Sequence, residues 1–71
     1  MEYTVQLQWD PEAAVWVAAS ADIIGVVMES GSVDALIERI RYAVPELLEL
    51  NNQAPAKAIC FKIERYERIS A

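Results

Sequence analysis

Only one stretch of this chain repeats its apolar residues at helical spacing, and that limits the fold more than any other feature. From Val33 to about Leu50, the apolar set Leu36, Ile37, Ile40, Val44, Leu47 and Leu48 recurs with helical periodicity, while Glu38, Arg41, Tyr42, Glu46 and Glu49 mostly fall elsewhere. Ser32 is a good N-cap, and Asp34 places a carboxylate in the first turn, at the positive end of the helix dipole. Pro45 lies inside the pattern, removing one backbone donor and crowding the carbonyl of Arg41, at a cost of about 3 kcal/mol in a regular helix. A kink, or two shorter helices, is expected there. With a single helical segment, the rest of the core must come from strands.

Four strands can be read around it. Residues 2–9 alternate strictly, with Tyr3, Val5, Leu7 and Trp9 on one face and Glu2, Thr4, Gln6 and Gln8 on the other. Asp10-Pro11-Glu12-Ala13 turns the chain, since Asp bonds the backbone ahead of it and Pro presets φ. Residues 15–19 then return antiparallel, with Trp9 and Trp16 at opposite ends of the hairpin. Ser20-Ala21-Asp22 and Gly25 make a bend, residues 26–29 form a third strand, and Ser30-Gly31-Ser32 closes it. After Asn51-Asn52-Gln53-Ala54-Pro55, residues 58–66 form the last strand, with Ile59, Phe61 and Ile63 on one face. The order is βββαβ, an α+β fold with one long helix on one face of a four-stranded mixed sheet. The helical crossover places the last strand parallel to the first, at its free edge. Residues 1–71 form a single domain.

Size and charge narrow the functional classes. Ordering 71 residues costs on the order of 100 kcal/mol, and domains this small usually draw on disulfides, metals or oligomerisation. Cys60 is the single cysteine and histidine is absent, so neither an intrachain disulfide nor a thiolate or imidazole zinc cluster is available. A homo-oligomer is therefore expected, and a homodimer is the least demanding form. The apolar runs are far shorter than a bilayer span, and no basic segment followed by an apolar one opens the chain, so the expectation is a cytoplasmic, bacterial-style protein with no membrane role. The net charge of −5 disfavours direct nucleic-acid binding. Residues 1–56 carry nine acids against Arg39 and Arg41, whereas residues 57–71 carry Lys57, Lys62, Arg65 and Arg68 against Glu64 and Glu67. The acidic body suits a basic partner, and the alternating signs near the end suit edge protection or salt bridging to a second subunit.

No catalytic, cofactor or metal site emerges. Metal-dependent nuclease chemistry needs clustered carboxylates, yet the centre of the first strand is Thr4, Val5 and Gln6. Asp10 and Asp22 fall in turns, where hydrogen-bonding to their own backbone accounts for them. Cys60 lies on an apolar strand with no histidine to take its proton, and reads as a packed structural thiol. The glutamates Glu38, Glu46 and Glu49 form a solvated helix face that could dock a basic partner, and Trp16 is a candidate aromatic anchor beside its core reading. One helix covers one sheet face, so apolar atoms of Ala18 or Trp16, Val26 or Val27, Ala58 and Cys60 on the other face call for a partner.

The order of these pieces resembles a known family. Trp9-Asp10, Val15-Trp16-Val17-Ala18, the Asp22–Val27 bend and Val44-Pro45-Glu46-Leu47-Leu48 are similar to the N-terminal domain of HicB-type antitoxins, above all short stand-alone bacterial HicB-like proteins. The resemblance implies a reduced ribonuclease-H-like sheet without catalytic acids, whose role is to cover a small RNA-cleaving HicA toxin. The family's usual Pro-Asp-Leu-Pro-Gly bend is represented by Asp22, Ile23 and Gly25, with Ala21 and Ile24 in place of the prolines, which predicts a looser bend. HicB antitoxins usually continue into a DNA-binding segment, which has no counterpart up to Ala71, so operator binding is not carried over. The reading is a non-catalytic protein-binding domain of a toxin–antitoxin system, with Trp16, Glu38, Glu46 and Glu49 as partner-binding residues. The alternative is a stand-alone homo-oligomeric structural or regulatory protein.

Overall fold

A computed structural model describes residues 1–70. Strands β1 (Glu2–Asp10), β2 (Val15–Ala19) and β3 (Val27–Ser30) are followed by the helix α1 (Val33–Leu50) and by β4 (Ala58–Glu64). The sheet order is β3-β2-β1-β4, with β1 antiparallel to β2 and parallel to β4. This is the expected βββαβ arrangement, and the parallel placement of β4 follows from the helical crossover.

The period-2 pattern of β1 and the helical pattern of α1 meet in the core. Tyr3, Val5 and Leu7 pack with Trp16, Ala18, Ile23 and Val26 against Leu36, Ile40, Val44 and Leu48, all buried. Fully burying such a side chain stabilises by about 1.5–3 kcal/mol, so this single layer carries the fold. Ser32 caps α1 as expected, its Oγ accepting from Ala35 N at 3.2 Å. At the other end Asn52 takes a positive φ of 54°, and the amides of Asn52 and Gln53 donate to the carbonyls of Glu49 and Leu48. This is the Schellman arrangement, with asparagine in the position glycine usually fills.

Several boundaries differ from the sequence reading. No split occurs at Pro45: α1 runs through it, because Val44 and Leu48 on either side are buried in one core while Pro45 faces solvent. The third strand is shifted by one residue. Val26 turns into the core after Gly25, and pairing with β2 begins at Val27. The last strand ends at Glu64 rather than at residue 66, where its pairing with Gln8 of β1 stops.

The bend at residues 20–25, which lacks the prolines, is bridged by side-chain hydrogen bonds to β1 and to the helix end. Ser20 Oγ donates to Thr4 O at 2.6 Å and accepts from the amides of Asp22 and Ile23. The Asp22 carboxylate accepts from Thr4 N at 2.9 Å. From the helix end, Gln53 Nε2 donates to Asp22 O and its Oε1 accepts from Ile24 N, while Asn51 Nδ2 donates to Ile24 O.

Candidate protein-binding surface

The exposed side of α1 is set by the burial of its opposite side. With Leu36, Ile40, Val44 and Leu48 fixed against the sheet, Glu38, Tyr42, Pro45, Glu46 and Glu49 form one solvent-facing ridge. Arg41, at the flank, is 3.5 Å from Glu38 and offsets its charge in part. Glu46 and Glu49 have no ion-pair partner among the described residues. Tyr42 is 76 % exposed in the middle of the ridge. An aromatic anchor flanked by carboxylates is a chemistry suited to a basic protein surface.

Of the four residues singled out from the sequence, the structure gathers three. Glu38, Glu46 and Glu49 lie together on this ridge, and Trp16 does not. Trp16 is 9 % exposed and packs edge-on against Trp9 with ring centroids 5.5 Å apart. The two tryptophans are direct cross-strand partners rather than lying at opposite ends of the hairpin, because the register pairs Asp10 with Val15 and then Trp9 with Trp16. The guanidinium of Arg65 sits 4.1 Å from the Trp9 ring centroid, which covers the cluster from the side. Trp16 is thus a core residue. Tyr42 is the exposed aromatic of this ridge that the sequence reading does not single out, although its spacing of four from both Glu38 and Glu46 is the available signal.

The remaining candidates have structural placements. Asp10 Oδ1 accepts from the amides of Glu12 and Ala13, as a turn residue should. Asp22 departs from the expected bonding to its own turn: its carboxylate accepts from Thr4 N on β1, 18 residues earlier. Among the described residues no cluster of three or more His, Cys, Asp or Glu side chains could hold a metal ion. Cys60 is exposed, which corrects the packed-thiol reading: even-numbered positions of β4 face away from α1, where no element covers them. The second sheet face is also less apolar than expected, since Trp16, Ala18 and Val26 belong to the core, leaving Val27 fully open and Val15 and Val17 half-buried. No described helix is long and apolar enough to cross a membrane.

More apolar surface remains on the helix side, beside β4. Because α1 packs closest to β2 and β3, the β4 row Ile59, Phe61 and Ile63 is only partly covered, and Ile63 is 52 % exposed. Arg41, Val44, Pro45, Ala56, Ile59 and Phe61 line a hollow of about 460 Å³ between helix and strand.

The pattern of a domain of unknown function, DUF1902, matches residues 2–70. The chain belongs to the DUF1902 family. Over its full length this DUF1902 domain is also similar to a solved structure, that of the hypothetical protein TTHA1013 from the extremely thermophilic bacterium Thermus thermophilus. The two share 34% identity and a TM-score of 0.78, with 100% of each chain covered. No curated protein matches the DUF1902 domain.

Proposed function

We propose that this DUF1902 domain is a non-catalytic, homo-oligomeric protein-binding domain of the HicB-like antitoxin kind, which neutralises a small basic toxin ribonuclease by covering its active surface. The observation that carries the reading is the ridge of Glu38, Tyr42, Glu46 and Glu49, which presents carboxylates around an exposed aromatic ring. The order of strand, hairpin, bend, capped helix and final strand resembles that antitoxin domain, and the acidic balance of residues 1–56 suits a basic partner. Asp10 accepts from an amide of its own turn and Asp22 from Thr4 N on β1, bonds that support a structural role for both acids.

The test is co-expression with a HicA-like protein encoded in the same genome. A stable complex and rescue from toxin-induced growth arrest are expected. The reading is abandoned if neither appears with any such partner.

A further inference from the structure

The β4 edge carries features that together specify a partner. It is one of the two open edges of the sheet, and it is seven residues long. The opposite edge, β3, has four residues, and Arg39 Nη1 donates to its Glu29 carbonyl at 3.0 Å. A long, uncapped, largely apolar edge is a template for another strand. Beyond β4, residues 65–70 form no regular element and are exposed, with Tyr66 at 83 % and Ile69 at 91 %. The molecule is accordingly elongated, 50 × 17 × 17 Å, with a radius of gyration of 13.4 Å. A compact chain of this length has about 11 Å.

Area and charge agree on what fits. The accessible surface is 5244 Å², whereas a folded monomer of this mass exposes about 4,450 Å². The surplus, about 800 Å², reflects the exposed residues 65–70 and the half-covered β4 row, surface that a partner would cover in part. On the face away from α1, Lys62 and Glu64 flank Ile63, and neither has an ion-pair partner among the described residues. That pattern is self-complementary when the strand is turned end for end.

We propose that two copies of the chain pair through β4, antiparallel about a two-fold axis at Ile63, to form one eight-stranded sheet. An antiparallel pairing keeps both helices on the same side, so the two half-covered Ile59, Phe61 and Ile63 rows merge between them. In this register Lys62 of each copy lies opposite Glu64 of the other, and opposite charges at such positions are favourable. Residues 65–70 of each copy lie opposite residues 56–61 of the other, which brings Tyr66 across from Cys60. The pairing rests on the homo-oligomeric part of the proposed function and is independent of any toxin.

Sedimentation equilibrium of the full chain, alone, tests it. The wild type is expected at twice 8.0 kDa, and Tyr66→Asp with Ile69→Asp should weaken the dimer at least tenfold with an unchanged circular dichroism spectrum, since both side chains are exposed. In a Cys60→Ser background, Ile63→Cys should cross-link to itself on mild oxidation, and Val27→Cys on the opposite edge should not. A monomer throughout the micromolar range, a dimer unmoved by the tail substitutions, or cross-linking through position 27 in preference to 63 would each overturn the pairing. A monomer that still captures the toxin overturns the pairing alone, and a β4 dimer that captures none overturns the antitoxin reading alone.

Discussion

Gly25 takes φ of +90°, and a Cβ built there would lie 3.2 Å from Leu47 Cδ2. Both the backbone and the space therefore select glycine. Gly25→Ala is expected to cost about 1–3 kcal/mol, and a melting curve reads it at roughly 4–8 °C per kcal/mol for a chain this small. The same bend shows why an isolated acid is poor evidence of chemistry. Asp22 ties the loop to β1 through Thr4 N, and Gln53 ties the loop to the helix end. Neither bond is visible in the sequence, because the partners are 18 and 31 positions away. The turn role of Asp10, by contrast, was legible, since its partners are the next amides along the chain.

At the scale of elements, α1 shows which sequence signals survive folding. Its apolar period, its Ser32 cap and its limits were all legible, because each depends on residues within one or two turns. The continuity through Pro45 was not, because it depends on burial of Val44 and Leu48 against strands distant in sequence. Proline still removes a backbone bond there. Pro45→Ala should therefore raise stability, by up to about 3 kcal/mol, in chemical denaturation with an unchanged m-value. The β1–β2 hairpin gives the opposite lesson. Its two strands were legible, but the pairing of Trp9 with Trp16 depends on a turn in which Ala14 takes φ of 55°, a conformation its residue type does not signal.

For the whole molecule, charge separates the surfaces. The acidic ridge lies on α1, while Lys57, Lys62, Arg65 and Arg68 follow β4 and the tail. Glu38→Lys, Glu46→Lys and Glu49→Lys together should weaken capture of a basic toxin at least tenfold, and the wild-type complex should weaken as salt rises. Isothermal titration across a salt series checks both, and the triple variant should keep its melting temperature within a few degrees because all three side chains are exposed. The candidate ridge was largely legible from helical spacing. The open β4 flank was not, since no periodicity states how far a helix reaches across a sheet.

The Trp9, Trp16 and Arg65 cluster gives the protein an internal optical gauge. Both tryptophans emit from one locus, beside the point where the tail leaves the sheet, and a cation 4.1 Å from a ring centroid perturbs that emission. Arg65→Ala should shift the fluorescence maximum while costing no more than about 1 kcal/mol of stability. Since residues 65–70 are the segment offered to a second copy, the wild-type emission should change with protein concentration in step with assembly, with no dye attached.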